Sequence, residues 1–181
     1  MRSTVIALAL VLLLPSALFA RLGVPSTLDK AFAILSPAFG DGEAIPAAYT
    51  CSGRDMNPTL FFRNVPGGTR SLVLIVEDPD APGGTWTHWL AYDIPASCTG
   101  LPENLPRSPQ LPGLASQGLN SWGRAGYGGP CPPSGTHRYV FRLSALNVAL
   151  RLPGGASRAQ VEQAMDGHVL AWTQMVGTFR R

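Results

Sequence analysis

The segment SLVLIVEDPD, Ser71 to Asp80, constrains the fold more than any other part of the chain. Leu72, Val73, Leu74, Ile75 and Val76 are consecutive, apolar and largely β-branched. Such a run reads as a central strand buried on both faces. It stops abruptly at Glu77, Asp78, Pro79 and Asp80, where polar and turn-forming residues replace it. A second strand is predicted over Thr85 to Ile94. Strict alternation there would put Trp86, His88, Leu90 and Tyr92 on one face and Thr87, Trp89, Ala91 and Asp93 on the other. A third is predicted over Arg138 to Leu146, with Tyr139, Phe141, Leu143 and Ala145 inward and Arg138 and Arg142 on a solvated face.

Shorter apolar runs at Ala31 to Pro37 and at Leu60 to Phe62 are separated by turn signals at Gly40 to Gly42, Asn57-Pro58 and Pro66 to Gly68. With 20 glycines, 17 prolines and only 14% charged residues, the chain favours a mainly β fold with long ordered loops. The longest loop, Pro95 to Pro133, has almost no periodicity, but Trp122 and Tyr127 argue that part of it packs. Near the end, Ser157 and Gln160 resemble a capping box. Val161, Met165, His168, Trp172 and Met175 recur at helical spacing, so a C-terminal helix is predicted, closed by Gly177. In that helix His168 reads as structural, and Met165, Trp172 and Met175 as core.

The first twenty residues have the layout of a secretory leader: Met1-Arg2, an apolar run from Val5 to Leu14, a break at Pro15-Ser16 and small Ala20 as a cleavage point. Leu18 stands where a small residue is usual, so an uncleaved anchor over residues 4–20 is the alternative. Either way the folded part, residues 21–181, is expected as a single exported domain, periplasmic or secreted. There is no internal repeat. The net charge is +3 and no lysine or arginine block stands out, which argues against a nucleic-acid partner. In an exported protein, Cys51, Cys98 and Cys131 allow one disulfide and one leftover thiol. The three pairings are open on the residues alone, and none of the cysteines has the close neighbour that a zinc site needs.

Three segments bring polar groups to strand ends: Asp78 to Pro82, Trp86 to His88, and Pro132-Pro133 followed by His137, Arg138 and Tyr139. Prolines preset the backbone, so a pocket walled by them needs little reorganisation when a ligand enters. Each residue taken singly has a plainer reading. Asp78 and Asp80 are good turn formers, His88 suits a core or rim, and His137 suits an exposed strand start. Asp78, Asp80, His88 and His137 would also suit a metal centre. Ser134 near His137 would suit a hydrolase, although no G-x-S-x-G elbow is present.

The segments VEDPDAPGGTWTHWLAYDIP and GYGGPCPPSGTHRYVFRLSAL resemble the two signature regions of the phosphatidylethanolamine-binding protein family. They are most similar to its bacterial, Raf-kinase-inhibitor-like branch. YTCSGRDMNPTLFF resembles that branch's early loop and MDGHVLAWTQMVGTF its closing helix, so the resemblance runs from about Phe32 to Phe179. It implies a fold built around an antiparallel β-sheet or sandwich, with a small cavity for anions such as phosphate or phosphorylated head groups. By position, the cavity would be formed by Asp78, Asp80, Trp86, His88, Pro132, Pro133, His137 and Tyr139. No cofactor and no turnover are expected. A protein partner of the kinase or protease type, held by inhibition, is compatible with the same pocket. Cys51 and Cys131 both fall in loops that carry the resemblance and Cys98 does not, which selects Cys51–Cys131 as the expected disulfide. Aspartates should repel an anion. The expected arrangement therefore has Asp78 and Asp80 holding His88 and His137 as donors, with binding that weakens as pH rises through the histidine range.

Overall fold

The computed structural model describes residues 31–181, which form one compact unit. The leader expected over residues 1–20, with its alternative anchor over 4–20, lies outside the described residues. In chain order the strands are β1 (Ala33–Leu35), β2 (Leu60–Arg63), β3 (Ser71–Asp78), β4 (Trp86–Pro95), β5 (Gly100–Leu101), β6 (Gln110–Leu111), β7 (Ala115–Gln117), β8 (Thr136–Leu146) and β9 (Val169–Arg180). The helix α1 (Arg158–Met165) lies between the last two strands. The fold is mainly β and its strand pairings are antiparallel.

The apolar run becomes β3, and every one of its residues is buried. It sits inside a six-stranded sheet of order β6-β7-β4-β3-β8-β9, facing a three-stranded sheet of order β1-β2-β5. Leu72, Leu74, Val76, Trp89, Phe141 and Leu143 of the large sheet meet Ile34, Leu60 and Phe62 of the small one in a single core. Alternate residues of β3, Val73 and Ile75, face the other way and pack with Leu90 and Tyr92 beneath Ala156, Val161 and Met165. The molecule therefore has three layers: small sheet, large sheet and helix.

Two expectations are corrected. The C-terminal helix ends far earlier than its pattern suggests. Ser157 and Gln160 do form a reciprocal capping box, but α1 stops at Met165, and the chain returns as β9 alongside the whole of β8. This pairing satisfies a long stretch of backbone at once, and Val169, Thr173, Val176 and Thr178 are β-branched residues that favour an extended chain. Trp172 is consequently 59% exposed and does not belong to the core. His168 lies in the connecting turn, its Nδ1 2.9 Å from Asn147 Oδ1. Gly177 closes no helix. It lets β9 approach Ile45 so closely that a Cβ there would stand 2.5 Å from Cγ1 of that side chain.

The second correction concerns the long aperiodic loop, which contains three short strands, β5 to β7. Buried amide side chains hold it. The Trp89 indole N–H donates to Gln117 Oε1 (2.7 Å), while Gln117 Nε2 donates to the carbonyls of Pro106 (2.8 Å) and Ser108 (2.7 Å). Asn120 donates to the Gly126 carbonyl (2.9 Å) and accepts from the N–H of Trp122 (3.0 Å). Among the described residues no helix is long and apolar enough to cross a membrane.

Candidate functional site

A β-bulge creates the site. Val76 pairs with Trp89 and Glu77 with Thr87, which leaves His88 as the extra residue of β4. An inserted residue breaks the two-residue alternation. His88 therefore packs against Tyr139, a member of the core between the sheets, with ring centroids 5.1 Å apart. Leu90 and Tyr92 face the helix layer. The shared face expected for Trp86, His88, Leu90 and Tyr92 is thus split at the bulge.

At this end of the large sheet lies a cavity of about 210 Å³. Asp78, Trp86, His88, Pro132, Pro133 and His137 line it, together with Ala81, Pro82, Trp122 and Cys131. The proline loop is fastened at nearly every step. Tyr127 Oη donates to the Tyr49 carbonyl (2.8 Å), Gly128 N–H to the His88 carbonyl (2.9 Å) and Gly129 N–H to Asp55 Oδ1 (2.6 Å). Cys51 N–H donates to the Pro130 carbonyl (3.1 Å), and a disulfide joins Cys51 to Cys131, leaving Cys98 free. Gly129 has to be glycine, since a Cβ would stand 2.5 Å from the Tyr49 carbonyl oxygen.

The two histidines are held by different partners. His137, 8% exposed, has Nδ1 2.7 Å from Asp78 Oδ2. His88, 3% exposed, has Nδ1 2.7 Å from the Gly128 carbonyl oxygen. A carbonyl only accepts, so Nδ1 of His88 carries the proton and Nε2 is the uncommitted nitrogen. Burial, outweighing the Gly128 hydrogen bond and the Asp78 charge, moves the His88 pKa below its ordinary value of 6.5. In its neutral form Nε2 of His88 is an acceptor.

Asp80 and Tyr139 do not line the cavity. Asp80 N–H donates to Asp78 Oδ1 (2.8 Å), a local turn that sends the Asp80 carboxylate outward to Arg138. There it takes two side-chain bonds, from Nε (2.9 Å) and Nη2 (2.6 Å), and one from the Arg138 main chain (2.9 Å). The bonds from the Arg138 side chain, then its main chain, hold the Asp80 pKa down at about 2. Asp80 is a strut for the strand end and orients no histidine. Tyr139 is fully buried behind His88, and burial followed by the Asp78 charge pushes its pKa up.

The metal alternative does not find its geometry: Asp80 is committed to Arg138, and among the described residues no three potential ligands converge. Ser134 is exposed and lies outside the lining. Trp122 reads from sequence only as a packed loop residue, yet it lines the cavity. Its ring stands edge-on to His88 (5.1 Å) and to Trp86 (5.3 Å), so it bridges the buried imidazole and the second tryptophan of the lining. An aperiodic loop offers no spacing from which that position could be read. The Gly128 carbonyl was likewise invisible, being main chain.

The sequence profile described as phosphatidylethanolamine-binding protein matches residues 35–180. The chain belongs to this family. A "UPF0098 protein" of Aquifex aeolicus is 50% identical over 151 residues, covering 82% of this chain and 88% of the relative. One from Methanothermobacter thermautotrophicus is 51% identical over 144 residues, covering 80% and 95%. Among solved structures, the phosphatidylethanolamine-binding protein homolog CT736 of Chlamydia trachomatis superposes with a TM-score of 0.78 at 41% identity, covering 84% of this chain and 99% of that one. YbcL of E. coli, described as a member of the mammalian family, gives 0.76 at 34% identity, covering 83% and 98%. Both structures share the sandwich described above.

Proposed function

We propose that the cavity binds the phosphate group of a small anion and does not turn it over. One observation carries the reading. Both imidazoles in the cavity have Nδ1 committed to a protein acceptor, so each keeps Nε2 for a guest. The Asp78 carboxylate meanwhile has one oxygen engaged by the Asp80 N–H and the other by His137. Charge that would repel an anion is thereby spent on holding the site together.

The acceptor state of His88 refines which anion fits. A fully ionised phosphate offers it no proton, whereas the singly ionised form of a phosphate ester has one P–O–H group to donate while its other oxygens remain acceptors. Binding should be strongest where the guest keeps that proton and should fall as pH rises through its second ionisation, near about 6. A phosphorylated lipid head group or a phosphorylated side chain of a partner protein would present the same group. The latter is how an inhibitory role would arise.

Titration calorimetry with inorganic phosphate, phosphoethanolamine and phenyl phosphate, with sulfate as a proton-free control, tests the proposal across mildly acidic to alkaline pH. Saturable phosphate binding that exceeds sulfate binding is expected. His137→Ala should weaken it by about tenfold or more, the scale of a hydrogen bond to a charged group. Absence of saturable binding to every phosphate would overturn the reading, and phenol release abolished by His137→Ala would replace it with a hydrolase. The proposal takes the protein to be exported, which suits a disulfide. Mature protein from the native host should then begin near Arg21.

A further inference from the structure

We propose that the helix side of the large sheet carries a second ligand site, for a small zwitterion with an apolar body: an apolar α-amino acid or a short apolar peptide with free ends. The inference is independent of the phosphate reading. Helix α1 covers the β3–β4 side of this face, and a groove of about 740 Å³ remains between α1 and the exposed side chains of β8 and β9. Its apolar surface comes from Ile75, Met165 and the indole of Trp172.

Its polar groups are built in and incompletely used. Ser144 is only 5% exposed, lines the groove and makes no side-chain hydrogen bond among the described residues. Arg142 lies two positions before it on the same face of β8, its guanidinium resting 5.4 Å from the centre of the Trp172 ring, with no carboxylate partner among the described residues. Where β3 meets α1 the balance is reversed. The Glu77 carboxylate, 11% exposed, stands 2.7 Å from Arg158, but that one guanidinium also serves Glu162 at 2.7 Å. Two acids share one cation, and Asp166 adds a further acid to the lining.

Charges of opposite sign therefore line the groove: on β8 a cation without a carboxylate partner and a hydroxyl without a hydrogen bond among the described residues, and excess carboxylate where Glu77 of β3 meets Glu162 and Asp166 of the helix. A simple anion would satisfy Arg142 and Ser144 but meet the surplus acids, and a simple cation would do the reverse. A zwitterion answers both, its carboxylate on Arg142 and Ser144 and its ammonium towards Glu77 and Asp166. The apolar body then covers Ile75, Met165 and Trp172. Glu77 and Asp78 are neighbours on β3 that face the groove and the phosphate cavity respectively, so the two sites stand back to back.

Calorimetry on the purified full chain tests this with L-leucine and L-leucyl-L-leucine, against N-acetyl-L-leucine, which lacks the ammonium, and L-leucinamide, which lacks the carboxylate. Saturable binding of either zwitterion is expected, and the better one tells amino acid from peptide. Each blocked analogue should bind about tenfold or more weakly. Arg142→Gln, a surface change, should lower zwitterion affinity about tenfold and Ser144→Ala by a smaller factor, while His137→Ala leaves it unchanged. In an amide NMR spectrum the Trp172 indole cross-peak should shift on binding. Zwitterions that fail to bind, analogues that bind equally well, or Arg142→Gln without effect would overturn the proposal. So would sedimentation showing that a second copy of the chain occupies the groove.

Discussion

On its sandwich face the large sheet presses Leu74, Trp89 and Phe141 against Ile34, Leu60 and Phe62, whereas on its helix face only a short cover lies over Val73 and Ile75 and Trp172 stays exposed. The difference separates two ways of making a binding surface. Where the layers close completely, strand ends become rigid, and a bulge such as the one at His88 can aim a side chain into a small cavity with little entropy left to lose. Where the cover is partial, Arg142 is left without a carboxylate partner and Ser144 without a side-chain hydrogen bond among the described residues, and the surface stays broad. Residue β3 parity distributes the two roles, with Asp78 serving the closed site and Glu77 the open one.

The largest expected effect tests that contrast. Phe141→Ala should cost about 3–5 kcal/mol of unfolding free energy, because the void opens between two sheets that cannot collapse onto it. Trp172→Ala should change stability by no more than about 0.5 kcal/mol. Urea denaturation of both variants is the measurement. A comparable loss for Trp172→Ala would show that the helix face is covered in solution, and the contrast between the faces would fail.

Removing the disulfide comes next. Cys131→Ser should cost about 2–4 kcal/mol, since the bond ties segments separated by 80 residues. It also fastens the proline wall, so phosphate affinity should fall in the same variant at temperatures where it remains folded. Stability lost with affinity intact would mean that the hydrogen bonds of Tyr127, Gly128 and Gly129 hold the wall unaided.

The closed face was far more legible in sequence than the open one, for physical reasons. Burial on two faces demands the unbroken apolar run of β3, and burial on one face demands the alternation Tyr139, Phe141, Leu143 of β8, so both patterns are forced by packing. The bulge at His88 follows from a register shift between strands that no local pattern records, so strict alternation groups His88 with Leu90 and Tyr92, which face the helix. Strand β9 was misread because an edge strand with a partly exposed face is free of the constraint that makes strands recognisable. Its apolar residues happened to fall at helical spacing. Candidate site residues were legible as a set, while their roles were not: whether Asp80 meets a histidine or Arg138 depends on the turn that Asp78 accepts from the Asp80 N–H. Strands β5, β6 and β7 are two or three residues long, too short to show a period at all.

A smaller effect sharpens the comparison from the helix side. Ser157 accepts the Gln160 N–H while Gln160 reaches back to the Ser157 N–H, and together they start the helix that covers Val73 and Ile75. Ser157→Ala should cost about 1 kcal/mol. Hydrogen exchange should localise the loss to α1 and the groove, leaving β3, β4 and β8 protected. Equal loosening of the central strands would mean that the two faces unfold together.

The smallest effect belongs to the closed face and appears only as a dependence on pH. Burial lowers the pKa of His88 in the folded protein below the 6.5 of the free side chain. Below that value the unfolded chain takes up a proton that the folded chain resists, so the neutral-state stability is complete above about pH 6.5 and is lost as pH falls. His88→Gln removes the titrating ring and keeps an N–H able to donate to the Gly128 carbonyl. The fall in melting temperature between about pH 7.5 and 5.5 should therefore be shallower in the variant. Asp80 does not confuse the reading, because its own acid loss runs from 3.8 down to about 2. Parallel slopes in variant and parent would mean that solvent reaches His88 freely, and a cavity whose inner imidazole is that wet could not favour a phosphate that keeps its proton.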